Sequence, residues 1–161
     1  MRRILVSACL LGDPVRYDGG ARRLDHPSLA RWRSEGRLVG FCPECAAGLP
    51  TPRPAAEIAP DATADAILDG LGRVCERDGG DVTAAFVDGA QRALAVAQAH
   101  ACAWALLVDR SPSCGSRFVH SGNFDGTLRP GLGLTAALLR RHGIAVFAED
   151  EIGSLAAAVG R

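Results

Sequence analysis

The stretch Arg3-Ile4-Leu5-Val6-Ser7-Ala8-Cys9 decides the fold. Its apolar residues follow one another without the alternation of a half-exposed strand, so it reads as a strand buried on both faces. Three later runs read the same way: Leu38 to Phe41, Ala103 to Val108 and Ile144 to Ala148. Helical patterns lie between and after them. Pro27 to Glu35 carries proline in its first turn. A long helix capped by Asp81 places Val82, Phe86, Ala90, Leu94 and Ala97 on one face. Thr135 to His142 stops at Gly143, and Ile152 to Val159 ends at Gly160. Strand–helix alternation at this spacing predicts right-handed βαβ units. The expected fold is α/β: a single Rossmann-like domain over residues 1–161, a short parallel sheet with helices on both faces, and hairpin inserts. The inserts are Ala55 to Asp78, too rich in glycine and charge for a plain helix, and Phe118 to Arg129, with Gly122-Asn123 and Asp125-Gly126 as turn signals.

Charge excludes some partners. The 161 residues hold 18 arginines, no lysine and 18 acidic residues, for a formal charge of zero. Neither a basic footprint nor a block of like charges points to nucleic acid. Arg2-Arg3 before Ile4 to Cys9 imitates a lipoprotein signal. An export signal needs an apolar region of about 7–15 residues, and only Ile4 to Ala8 would serve. No run approaches the roughly 20 apolar residues of a membrane span. The expectation is a soluble, cytoplasmic protein, in which six cysteines do not form a disulfide framework.

The positions of those cysteines are informative. Cys9 follows the first strand, Cys42 ends the second, and Cys114 lies in the loop after the third. Ligands of open parallel sheets bind beyond the carboxyl ends of the strands, where these three can converge. Cys102, on the approach to the third strand, reads as core, and Cys75, inside an insert, as structural. Cys42-Pro43-Glu44-Cys45 is a CxxC, which by itself fits zinc or a redox dithiol. A zinc site would take Cys9, Cys42, Cys45 and Cys114. A thioredoxin-like dithiol would sit at a helix start, and Ala46-Ala47-Gly48-Leu49-Pro50 is a poor helix. The loop Arg110-Ser111-Pro112-Ser113-Cys114-Gly115-Ser116 offers hydroxyls and N–H groups to sulfur or substrate. Glu44 beside such a crevice can act as a general acid or base.

These residues carry a resemblance. Val6-Ser7-Ala8-Cys9-Leu10-Leu11-Gly12, Val15-Arg16-Tyr17-Asp18-Gly19-Gly20, Cys42-Pro43-Glu44, Gly48-Leu49-Pro50-Thr51-Pro52-Arg53-Pro54, Arg110-Ser111-Pro112-Ser113-Cys114-Gly115 and Gly133-Leu134-Thr135-Ala136 occur in order along the chain. Together they resemble the thiouracil desulfidase family over essentially the whole length. The resemblance implies a 4Fe-4S cluster held by Cys9, Cys42 and Cys114, with a fourth iron open to the sulfur of a thiolated pyrimidine. It implies that Glu44 and Ser111 assist a hydrolytic step; Arg16, Tyr17 and Ser113 are the candidates for substrate contact. The reaction would turn a thiouracil, or its nucleoside or nucleotide, into the oxo form with release of hydrogen sulfide. The partner is then a small thionucleobase or thionucleotide, with no membrane and no nucleic acid. Arg16, Arg22, Arg23, Arg53 and Arg117 are available for a phosphate. The chain departs from the family pattern at Cys45, where an aliphatic residue is more common; a fourth thiolate there would close the open iron. The readings that compete with catalysis are a zinc- or cluster-binding domain without turnover and a dithiol redox protein using Cys42 and Cys45.

Overall fold

The computed structural model describes residues 1–160. The chain begins with β1 (Arg3–Ser7), α1 (Pro27–Ser34), β2 (Leu38–Phe41) and α2 (Pro43–Ala46). An insert follows, with β3 (Ala56–Ile58), α3 (Ala64–Leu68) and β4 (Val74–Glu76). Then come α4 (Thr83–Ala99), β5 (Cys102–Leu107), a second hairpin of β6 (Phe118–His120) and β7 (Leu128–Pro130), α5 (Leu134–Arg141), β8 (Ala145–Ala148) and α6 (Ile152–Val159).

β1, β2, β5 and β8 form one parallel sheet in the order β2-β1-β5-β8. The chain leaves β1 toward one edge and returns to build the other, so the topology switches between β1 and β5. That is where an open α/β sheet binds its ligands. Ile4, Leu5 and Val6 at the sheet centre are fully buried. They pack with Trp32 of α1, Ala93 and Ala97 of α4, Leu139 of α5 and Leu155 of α6. A smaller core joins Ile58, Ile67 and Val74 of the first insert to Phe86, Val119 and Leu134. No helix among the described residues is long and apolar enough to cross a membrane.

The four expected strands and four expected helices are present, with ends shifted by a residue or two. Asp81 accepts a hydrogen bond from the Thr83 N–H at 2.9 Å, but the helix starts at Thr83, so Val82 occupies the cap position. Both inserts contain antiparallel hairpins. The first also holds α3, which Thr63 caps by accepting from the Ala66 N–H. One local expectation fails. Pro43–Ala46 is a helical turn with Cys42 at its cap. Proline at its first position and an acidic residue in its first turn favour the start, and Gly48, at φ +88°, allows the chain to turn away.

Candidate active site

The strand ends shape the site. β1 stops at Ser7, and Ala8–Leu11 continues as a tight 3-10 turn that carries Cys9. β2 stops at Phe41 and hands Cys42 to α2. β5 stops at Leu107 and leads into the loop that carries Ser111, Ser113 and Cys114. All three cysteines line one cavity of about 370 Å³, together with Arg16, Tyr17, Glu44, Ser111 and Ser113. Every site residue expected from the sequence therefore faces the same space. Cys75 and Cys102 do not line it; Cys102 is buried in the core beside β1.

Cys45 also lies outside the cavity lining. Its Sγ is 3.8 Å from the Val15 carbonyl and 3.5 Å from Thr51 Oγ1. Its thiol still contacts that of Cys42, whose own thiol is pushed up to about 12, chiefly by burial. A dithiol nucleophile needs the opposite shift. Among the described residues, no three His, Cys, Asp or Glu side chains are close enough to hold a single metal ion. Zinc holds its thiolates at about 2.3 Å, and the three cavity thiols are not gathered into such a set.

Burial dominates the chemistry of the thiols. It pushes Cys9 up to about 11, with Arg16 pulling the other way. It raises Cys114, the most enclosed of the three, further still; the Ser7 hydroxyl opposes this, and Cys9 and Cys42 are near enough to add repulsion. Uncompensated thiolates are thus disfavoured here, and a cationic guest would supply the compensation. Soft sulfur donors suit iron in a sulfide-rich cluster. Polar groups already aim at the sulfurs: the Ser7 hydroxyl reaches Cys114, and Cys42 receives the Cys45 backbone N–H. Such outer contacts orient and tune cluster ligands. The donor set therefore fits a three-thiolate iron–sulfur cluster.

Glu44 is held from two sides. Its Oε1 accepts from Arg53 Nε at 3.1 Å, and its Oε2 accepts from Ser113 Oγ at 2.7 Å. Arg53 is a buried anchor, its side chain 5% exposed. It also donates to the carbonyls of Val15 and Pro50 and to Thr51 Oγ1. Its guanidinium is thus committed within the protein. Ser113 Oγ lies 2.9 Å from Ser111 Oγ, which accepts the N–H groups of Ser113 and Cys114 at 3.1 and 2.9 Å. Ser113 has a single hydroxyl proton and gives it to Glu44, so Ser111 is the donor to Ser113. The result is a directed chain from Ser111 through Ser113 to Glu44.

Asp109 fixes the loop behind this chain. Its Oδ1 accepts the N–H groups of Arg110, Ser116, Arg117 and Phe118 at 2.9 to 3.1 Å. Burial pushes its carboxyl up, but the four N–H groups outweigh that and hold it below the usual range. Ser7, at 3% exposure, accepts the Val108 N–H and reaches Cys114. Sequence reasoning assigned no role to Ser7 or Asp109. The signal for Ser7 was a hydroxyl inside an otherwise apolar strand.

A parallel sheet with three cysteines at adjoining strand ends, and a carboxyl wired to two serines beside them, defines an α/β enzyme with a thiol-lined cavity. A family model described as 2-thiouracil desulfurase matches residues 4–151, and the chain belongs to that family. Among solved structures, a [4Fe-4S]-dependent thiouracil desulfidase, TudS, superposes with a TM-score of 0.90 at 46% identity, covering 99% of both chains. YbbK, an uncharacterized protein of Bacillus subtilis (strain 168), is 37% identical over 152 residues, covering 94% of this chain and 99% of its own.

Proposed function

We propose that this chain hydrolyses the carbon–sulfur double bond of a thiolated pyrimidine, giving the oxo form and hydrogen sulfide, with a 4Fe-4S cluster as cofactor. The observation that carries the proposal is the meeting, in one cavity, of Cys9, Cys42 and Cys114 with the chain Ser111–Ser113–Glu44. Membership of the 2-thiouracil desulfurase family supports it.

Cys9, Cys42 and Cys114 would hold the cluster. Cys45 is turned toward Val15 and Thr51 and would not be a ligand in this reading, which would leave one iron free for the substrate's sulfur. When bound, the cluster supplies a Lewis-acidic iron suited to the soft sulfur of a thiocarbonyl. The protein's residues supply the proton chemistry. Glu44 takes a proton from the attacking water, either directly or through Ser113 and Ser111. Arg53 fixes the carboxyl so that Oε2 faces the serines. Water adds its oxygen to the ring carbon, and the sulfur departs with two protons, so no electron donor is needed. Arg16, Tyr17 and Ser113 line the space a single thionucleobase or thionucleotide would occupy. A cytoplasmic setting would keep the thiols reduced.

Anaerobically reconstituted protein tests this. About four irons and four sulfides per chain are expected for such a cluster, with 2-thiouracil converted to uracil. A cluster-loaded protein that leaves thiouracils, their nucleosides and their nucleotides intact would refute the proposal.

A further inference from the structure

The hairpin side of the cavity carries a polar atom that the chemistry above does not use. Glu57 of β3 is 8% exposed and lines the cavity. Its Oε1 accepts the N–H groups of Gly122 and Phe124, at 2.8 and 3.2 Å. Its Oε2 has no hydrogen-bond partner among the described residues and is not sealed from solvent-sized space. A carboxyl oxygen of a largely buried residue, open only toward the cavity side, is placed to accept from a bound donor. Beside it in the cavity wall stands Phe124, with the Arg77 guanidinium 5.4 Å from its ring centroid. An aromatic ring and an acceptor side by side in the wall suit a planar heterocycle that carries an N–H, or its attached sugar.

We infer that Glu57 is a specificity-determining residue whose Oε2 accepts a hydrogen bond from the bound pyrimidine, through a ring N–H or a ribose hydroxyl. This rests on the desulfidase reading, since that reading places a pyrimidine in the cavity. Glu57 also sets the position of Phe124 by holding its N–H, so one side chain builds both parts of the recognition corner.

Glu57→Gln separates recognition from scaffolding. The N–H groups of Gly122 and Phe124 demand an acceptor, so the amide oxygen stays on them and the NH₂ turns toward the cavity. The hairpin tie is kept while the cavity-facing acceptor becomes a donor. Calorimetry on the reconstituted protein would use uracil and uridine, which lack sulfur and report the walls rather than the iron. The set is completed by 1-methyluracil, 3-methyluracil, 1,3-dimethyluracil and 2′,3′-dideoxyuridine.

Glu57→Gln should weaken the ligand that carries the recognised donor by about 10- to 100-fold, with an unchanged melting temperature. Loss for uracil assigns a ring N–H, and the methylated base lacking it should bind equally to both proteins. Loss for uridine but not for dideoxyuridine or uracil assigns a ribose hydroxyl. Equal affinities across the set in both proteins, an equal loss for every ligand including 1,3-dimethyluracil, or no binding to the wild type would overturn the inference. If Glu57→Gln fails to fold, the wild-type affinities decide: no difference between any ligand and its donor-lacking analogue overturns it. Turnover of 2-thiouracil by the wild type is measured in parallel. Its absence refutes the desulfidase reading, while the uracil affinities still judge Glu57.

Discussion

Ser113 donates its hydroxyl proton to Glu44 Oε2 across 2.7 Å, although 69 residues separate the two in sequence. The contact joins the turn after β2 to the loop after β5 and places a carboxyl within proton reach of two hydroxyls. Glu44→Gln removes the titrating group, and acid–base catalysis is typically worth about 10²–10⁴-fold. We expect kcat on 2-thiouracil to fall by that factor with iron per chain unchanged. Ser113→Ala cuts the chain at its middle and should also lower kcat. Ser111→Ala should do so as well, and should lower the melting temperature because two N–H groups lose their acceptor. Undiminished turnover in Glu44→Gln would remove the carboxyl from the mechanism.

The environment of Cys45 yields a second prediction. Its sulfur contacts Thr51, the Val15 carbonyl and the Cys42 thiol, but Cys45 itself does not line the cavity. Cys45→Ala should retain wild-type iron, whereas Cys9→Ala, Cys42→Ala and Cys114→Ala should each lose most of it. Iron and sulfide analysis of the four variants decides the matter. Equal loss in Cys45→Ala and Cys42→Ala would mean four protein ligands and no open iron.

Asp109 makes stability depend on acid in a defined direction. Its folded carboxyl lies below the usual range, so between the two values the unfolded chain binds more protons. Its contribution is complete above the ordinary value of about 3.9 and is lost as pH falls through the lower folded value. Urea midpoints of wild type and Asp109→Asn should differ at neutral pH and converge in acid below that range. A gap that stays constant across the range would show that the four N–H contacts do not depend on the charge.

Gly89 tests how α4 supports the Cys42 turn. A Cβ at this position would lie 2.5 Å from the Pro43 carbonyl oxygen. Alanine is the better helix former by about 1 kcal/mol, yet overpacking against a fixed backbone typically costs about 1–3 kcal/mol. We expect Gly89→Ala to lower the melting temperature and to retain less iron. A higher melting temperature with full iron would show that the turn yields without loss.

The fold was readable because its signals are local. Ile4, Leu5 and Val6 are apolar in succession and prove fully buried, and the strand-end placement of Cys9, Cys42 and Cys114 follows from the parallel sheet. The helical turn at Pro43 carried its start signals, but Gly48 and Pro50 cut it short and masked it. Arg53 looked like any surface cation available to a phosphate. Its burial depends on the Val15 carbonyl, 38 residues away, meeting the Pro50-Thr51 turn. Glu57 was equally hidden. Its partners Gly122 and Phe124 belong to the other hairpin, and no local pattern dictates that two inserts will pack together.

In the proposed reaction the sulfur of a thiouracil is exchanged for the oxygen of water without net electron transfer. This exchange is tested most directly by incubating the cluster-loaded protein with 2-thiouracil in ¹⁸O-labelled water, with no reductant added, and weighing the uracil formed. Hydrolysis gives uracil carrying the heavy oxygen, with hydrogen sulfide released in equal amount. Unlabelled uracil, or turnover that starts only when a reductant is supplied, would contradict it.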